Sequence, residues 1–252
     1  MAKPKRYAII SDIHSNIEAL DAVIADAHAQ GVTDFICLGD VVGYNAAPRE
    51  CIQRIRELGC KVVKGNHDHY CSDPSVNLDD FQPNAASVIE WTRRNISEED
   101  TRWLHNLPLT AVIMGFTIVH STLDSPEHYR YAFDKQDAED SFNFQRTRVC
   151  FHGHTHVPCI FRRTTTGASH GILKLGAANG LLDQGNYFIN VGSVGQPRDG
   201  IPKACYLIFT AEGLTKLSIE FRRVDYEIEA AVQRIKDAGL PERLINRLYT
   251  GQ

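Results

Sequence analysis

Seven side chains able to ligate a cation fall in short polar segments, each following an apolar run. Asp12-Ile13-His14 follows Tyr7–Ile10, and Gly39-Asp40-Val41-Val42-Gly43 follows Asp34–Leu38. Gly65-Asn66-His67-Asp68 follows Lys61–Lys64, His120 follows Phe116–Val119, and Gly153-His154-Thr155-His156 follows Val149–Phe151. Asp, Asn and His supply oxygen and imidazole nitrogen without thiolate, a donor set suited to Mn, Fe, Ni, Zn or Mg. Seven ligands (Asp12, His14, Asp40, Asn66, His120, His154, His156) are too many for one tetrahedral ion. They fit two adjacent ions sharing a carboxylate, which in hydrolytic sites lie roughly 3.5–4 Å apart. Singly, such an Asp is ordinarily a turn or cap residue and such a His a surface or satisfied core residue. The joint pattern points to a metal centre.

These segments must be brought together by the elements before them. Tyr7–Ile10, Asp34–Leu38 and Lys61–Lys64 read as buried strands. A helical stripe over Ile17–Ala27, stopped by Gly31, and a helix opened by Pro48 alternate with them, so the chain predicts βαβ units and a mainly parallel sheet. In open α/β sheets ligands bind beyond the carboxyl ends of the strands, and all five polar segments lie there. Pro83–Asn95 and Glu98–His105 read as helices, the second capped by Ser97, within a helical insertion at about 77–107. Thr110–Ile113 and Phe116–Val119 read as a hairpin, and 123–148 as an irregular, aromatic-rich stretch. Short strands follow at Val149–Phe151, Cys159–Arg163, Gly171–Lys174, Tyr187–Val191, Ala204–Phe209 and Leu214–Val224, then helices over 226–238 and 241–249. No linker or repeat divides the chain, and a site drawn from residues 12 to 156 cannot be split at the midpoint. A single domain over 1–252 is expected.

The motifs D-x-H, G-D-x-x-G, G-N-H-D, a lone His and G-H-T-H, in this order and spacing, resemble those of the calcineurin-like metallophosphoesterases, especially the small bacterial and archaeal phosphodiesterases. The resemblance implies a four-layer αββα sandwich of two mixed β-sheets flanked by helices. It implies one metal on Asp12, His14 and His156, another on Asn66, His120 and His154, and Asp40 bridging them, with Mn²⁺ favoured. It further implies in-line attack on phosphorus by a metal-bridging hydroxide. His67 would be the general acid, and Asp68 would orient it and raise its pKa. Family members often carry Gly after the lone His, where this chain has Ser121. Thr155 has no implied role.

Serine/threonine protein phosphatases and the related diadenosine tetraphosphatases carry D-R-G at the second motif, whose Arg clamps phosphate. This chain has Val41-Val42-Gly43-Tyr44-Asn45 there, which sets a protein phosphatase or dinucleoside polyphosphate hydrolase behind a phosphodiesterase of a small nucleotide or cyclic phosphate. Tyr44 and Asn45 are weighed as substitutes against a turn role. Arg198, after the glycine-rich run Asn190-Val191-Gly192-Ser193, is weighed as a phosphate contact against an exposed loop residue. The aromatic residues of 123–148 read as a base-stacking surface or as packing under a loop, and Arg93 and Arg94 as a solvated helix face. A non-catalytic scaffold of the same fold would have lost ligands or the general acid, and all are present.

Composition agrees. The 252 residues carry a net charge of −4 and 43% hydrophobic residues, which excludes a largely disordered chain and a general attraction to nucleic acid or anionic lipid. No apolar run reaches the ~18 residues of a membrane span. Seven scattered cysteines without C-x-x-C argue against a disulfide framework or thiolate zinc site. The basic start, Met1–Arg6, precedes too short an apolar run for a signal peptide, and a cytoplasmic location is expected.

Overall fold

The computed structural model describes residues 4–166, 169–213 and 215–252, with the backbone alone for 165, 166 and 169–173. The chain start before Pro4 and Leu214, where the sequence places the start of the last strand, lie outside them. Among the described residues the strands and α-helices run in the order β1 (Lys5–Ile10), α1 (Ile17–Ala29), β2 (Asp34–Cys37), α2 (Pro48–Glu57), β3 (Lys61–Val62), α3 (Asn66–Ser72), α4 (Pro83–Asn95), α5 (Glu98–His105), β4 (Thr110–Ile113), β5 (Phe116–Val119), α6 (Lys135–Phe144), β6 (Val149–His152), β7 (Cys159–Thr166), β8 (Ser169–Leu175), β9 (Gly180–Leu182), β10 (Asn186–Asn190), β11 (Ala204–Glu212), β12 (Lys216–Val224), α7 (Ile228–Asp237) and α8 (Glu242–Thr250).

One sheet has the order β3-β2-β1-β11-β12-β9 and the other β4-β5-β6-β10-β7-β8. Within the first, β1, β2 and β3 are parallel. Within the second, β5, β6 and β10 are parallel. The remaining neighbours are antiparallel, so both sheets are mixed.

Strand alternation decides what each face covers. Along β1, Tyr7 and Ile9 point between the sheets, while Ala8 and Ile10 point toward α1 and α2. The inter-sheet core joins Tyr7, Ile36, Leu207 and Phe209 to Phe116, Phe151 and Ile189. Four of its rings meet edge-on, Phe151 with Phe209 at 5.1 Å, Phe116 with Phe209 at 5.2 Å and Tyr7 with Phe116 at 5.7 Å. Each such buried side chain contributes about 1.5–3 kcal/mol. On the outer face of the second sheet, Phe142 of α6 packs with Phe161 and Phe188. The layers are therefore helix, sheet, sheet, helix.

Three local departures from the sequence reading have physical causes. β3 is two residues long rather than four, because Lys64 N–H leaves the sheet and donates to Pro108 O at 2.8 Å. The stretch 123–148 holds α6, capped by Asp134 with Asp137 reciprocating, and buries Ala138, Ser141 and Phe142 on one face. Arg93 is not a solvated face residue: its guanidinium donates to the Tyr70, Asp73 and Val76 carbonyls and ties α4 to the end of α3. Arg94 does lie at the surface, 3.7 Å from Glu90.

Candidate metal centre

Because three parallel strands of each sheet end at the same edge, six loops converge there. β1, β2, β3, β5 and β6 deliver the five polar segments, and β10 adds Val191–Arg198. The backbone in these loops is unusual. Asp12, His14, Ser15, Asp40, Tyr44, His154 and His156 all have φ between 48° and 67°, a region non-glycine residues rarely occupy and which costs of order 1–3 kcal/mol each. The remaining glycines make room. A Cβ on Gly65 would overlap the Asp40 carboxylate, and one on Gly153 would overlap Ser11 Oγ and Asp12 Oδ2.

Asp12, His14 and His156 bring one ligand atom each within 4.8 Å of one another, and so do Asp40, His120 and His154. All six residues are buried. Asp40 Oδ2 stands between the groups, 3.5 Å from His14 Nε2 and 3.4 Å from His120 Nε2. Asn66 Oδ1 lies 3.2 Å from His120 Nε2. His67 Nδ1 is buried without a hydrogen-bond partner, and its ring stands edge-on to His14 at 5.0 Å.

The imidazoles are aimed by main-chain carbonyls. His14 Nδ1 faces Val42 O at 3.2 Å, His120 Nδ1 faces Leu38 O at 2.8 Å, and His156 Nδ1 faces Gln196 O at 2.6 Å. A carbonyl only accepts, so each Nδ1 carries the proton. His14 and His156 then turn a bare Nε2 lone pair inward, while His120, whose Nε2 faces the acceptor oxygens of Asn66 and Asp40, carries a proton there as well until a cation displaces it. His14 Nε2 and His156 Nε2 then face each other at 3.1 Å with no proton between them. His154 Nε2 is buried without a partner. Lone pairs so arranged repel unless a cation lies among them, and the donor set fits divalent metal ions.

The electrostatics agree. Burial, against the pull of Asp40, holds His14 well below the usual imidazole range, and burial with repulsion from His120 takes His154 down to about 3. Burial would raise the Asp12 carboxyl, but His156 outweighs it and holds it low. Asp40 is held low against burial mainly by His120. His120 itself is pushed up to about 9, Asp40 and Asp12 overcoming burial. The centre is two carboxylates and several neutral bases, poised to exchange a proton for a metal.

Two sequence expectations need correction. Asp68 does not orient His67. Its carboxylate accepts from the N–H groups of Asp40 (2.8 Å), Val41 (2.8 Å), Val42 (3.3 Å) and Gly65 (3.0 Å), because the start of α3 turns it beneath the Asp40 loop. Burial and the Asp40 charge push its carboxyl up to about 7. His67 moves opposite to expectation, down to about 4, through burial and, against Asp40, the positive Arg198. Asn45, weighed as a substrate contact, donates from Nδ2 to His14 O at 2.8 Å and so braces a ligand loop.

Tyr44 and Arg198 do reach the centre. The Tyr44 ring lies 4.5 Å from that of His14 and 4.4 Å from that of His67, and the Arg198 guanidinium sits over it at 5.6 Å. In the 123–148 stretch, Tyr131 stacks on His154 at 4.1 Å and Phe133 continues the stack at 5.1 Å. Both outer rings are about half exposed, at 46% and 53%. The run Asn190–Ser193, noted in the sequence only as leading to Arg198, braces the ligand loops: Ser193 Oγ donates to Asp12 O at 2.8 Å, and Asn190 Nδ2 donates to Gly153 O at 2.5 Å and Thr155 Oγ1 at 2.9 Å. His152 and His69 are not among the inward-facing groups. His152 stacks on Phe188 at 3.8 Å, and His69 lies 3.6 Å from Asp73.

Comparison with known proteins places this geometry. Residues 6–213 match the model of the calcineurin-like phosphoesterase superfamily domain. The uncharacterized protein MJ0912 of Methanocaldococcus jannaschii is 41% identical over 250 residues, covering 97% of this chain and 98% of that protein. The crystal structure of a metallophosphoesterase from Sphaerobacter thermophilus superposes with a TM-score of 0.84 at 36% identity, over 99% of this chain and 100% of that one. The hypothetical protein PH1004 from Pyrococcus horikoshii OT3 shares the fold, with a TM-score of 0.78 at 22% identity over 98% of both chains.

Proposed function

This chain belongs to the calcineurin-like phosphoesterase superfamily, and from that premise we propose that it hydrolyses a small phosphodiester, a nucleotide or cyclic phosphate being the favoured class, with two divalent ions. Asp12, His14 and His156 hold one ion, Asn66, His120 and His154 the other, and Asp40 both. Held there, two such ions supply Lewis-acid stabilisation of the phosphoryl oxygens and a water acidic enough to react near neutral pH. Mn²⁺ is the favoured ion. The observation that carries the reading is the convergence of imidazole Nε2 atoms on two buried carboxylates, His14 and His156 facing each other at 3.1 Å.

The chain's own groups do the rest. The carbonyls of Val42, Leu38 and Gln196 keep the imidazoles in one tautomer, so no reorganisation accompanies ligation. Asp68 holds the Asp40 loop through its four backbone acceptances. His67, beside the ligands, donates a proton or hydrogen bond to the leaving oxygen. Burial, and to a lesser degree the Arg198 charge, lower its pKa, and a bound anion offsets the Arg198 part, which strengthens that role. Arg198 pairs with the phosphoryl oxygens, and the exposed Tyr131–Phe133 stack offers a flat face to a base. The cysteines are free thiols, which suits a reducing compartment and the cytoplasm.

The deciding experiment assays the purified protein with added Mn²⁺ on bis-p-nitrophenyl phosphate and on p-nitrophenyl phosphate. Hydrolysis of the diester in preference to the monoester, abolished by Asp40→Asn, is the expected result. Monoester preference would move the reading to a phosphatase. Inactivity on both substrates with Mn²⁺, Ni²⁺, Zn²⁺ and Fe²⁺ would overturn it in favour of a scaffold.

A further inference from the structure

Beside the ligand groups lies a pair of arginines that the proposed chemistry uses only in part. Arg198 Nη2 and Arg247 Nη1 both donate to one neutral acceptor, Gln196 Oε1, each at 3.1 Å. Among the described residues, no carboxylate lies within ion-pair distance of either guanidinium. Gln196 is fully buried, and its Nε2 has no hydrogen-bond partner. Arg198 Nε is likewise buried and unpartnered. Like charges sharing one amide oxygen repel, and buried donors left without an acceptor are costly. An anion between the guanidiniums removes both penalties.

The fold holds this pair in place. Arg247 sits near the end of α8, which is docked on the β10–β11 loop through Gly200 N–H to Gly251 O at 2.8 Å. Leu244 and Leu248 of the same helix pack with α7 and with Tyr44. The Gln196 main chain accepts from His156 Nδ1 while its side chain accepts from both arginines. The cationic pair is thus tied to a proposed ligand by one residue. Arg198 reaches the centre directly, its guanidinium lying 5.6 Å over the Tyr44 ring that packs on His14 and His67. Burial and Arg198 together lower the Arg247 guanidinium below its usual range. Arg247 lies beyond residue 213, where the family match ends.

We propose that Arg247, Arg198 and the Gln196 amide form a second anion subsite, so that the substrate is a phosphodiester carrying a further phosphate next to the one cleaved. The inference rests on the phosphodiesterase reading, and its test separates the two. Two substrates share one scissile bond: thymidine 5′-(p-nitrophenyl phosphate) and the same compound bearing a 3′-phosphate. With Mn²⁺, the wild-type protein prefers the 3′-phosphorylated diester in kcat/KM by roughly tenfold, the scale of one charge-assisted pair. In Arg247→Ala that ratio falls to near one. In Arg247→Lys, which keeps the charge and most of the stem, part of the preference survives. A thermal melt of each variant confirms folding. Calorimetric titration of thymidine 3′,5′-bisphosphate against thymidine 5′-phosphate reads the same preference without turnover. A wild-type ratio of one, or an Arg247→Ala ratio equal to the wild type in kinetics or titration, overturns the subsite. Failure to cleave either diester overturns the phosphodiesterase reading instead, and the titration then decides the subsite alone.

Discussion

At the scale of single residues, His67 and Asp68 are sequence neighbours with separate tasks. His67 faces the ligand groups, while Asp68 accepts from four backbone N–H groups below them. Replacement distinguishes the tasks. His67→Gln is expected to lower kcat by about 10²–10⁴-fold, the usual size of a lost proton donor, with little change in thermal stability. Asp68→Asn turns an amide N–H₂ toward backbone donors and is expected to cost on the order of 3 kcal/mol. That is a fall of roughly 2–4 °C in Tm for each kcal/mol in a chain of this length. Circular dichroism melts and steady-state kinetics of both variants check the pair. An Asp68→Asn protein with wild-type Tm and a shifted acid limb in its pH profile would restore the expectation that Asp68 tunes His67. Adjacency in G-N-H-D made both residues legible as candidates. The helical turn that sends their side chains opposite ways is set by α3, which the sequence reading left unassigned.

At the scale of elements, α3 is short and holds two proposed site residues, Asn66 and His67, in its first turn. Seven residues do not make a stable helix alone. Its far end is secured from outside by Arg93 of α4, whose guanidinium binds the Tyr70 carbonyl at 2.7 Å and that of Asp73 at 2.8 Å. Arg93→Ala removes these charge-assisted bonds and is expected to cost about 1–3 kcal/mol. Hydrogen exchange should quicken in 66–73 more than in α1, and uniform quickening across the chain would contradict the tether. Helices α4 and α5 were readable because Pro83 and Ser97 mark their starts. The Arg93 bond was not readable, since its acceptors are carbonyls some twenty residues away. α6 did carry a signal, Asp134 with Asp137 before Ala138, Ser141 and Phe142, hidden by the aromatic character of the stretch.

At the scale of the molecule, burial of so many imidazoles makes stability depend on pH. In the metal-free protein His67, His152 and His154 are pulled down to about 4, 3 and 3, against an ordinary value near 6.5 in the unfolded chain. Between these limits the unfolded chain binds more protons, so the stability these groups allow is full above about pH 6.5 and is lost as pH falls. Asp68, raised to about 7, and His120, raised to about 9, act oppositely, their share falling as pH rises. The lowered histidines, His14 and His156 among them, outnumber these two, and each net proton is worth roughly 1.4 kcal/mol per pH unit. Urea unfolding of EDTA-treated protein should give a clearly lower midpoint at pH 5.5 than at pH 7. His152→Phe, which removes one titrating group that is not itself a proposed ligand, should narrow the gap. Equal midpoints at the two pH values would show that the histidines are not buried as neutral bases.

The sequence alone determined the candidate donor atoms and the strand ends that carry them, because residue type and the apolar-to-polar change after each strand are local properties. It also showed that Arg198 follows a strand and that no Arg stands after Asp40. Tertiary structure decided what those atoms face. Which carbonyl fixes each imidazole, which loops accept φ above zero, that Asp68 supports Asp40, and that Arg247 joins Arg198 through Gln196 all depend on contacts between chain segments far apart in sequence. A hydrogen bond to a backbone carbonyl leaves no trace in residue identity, since every residue has one.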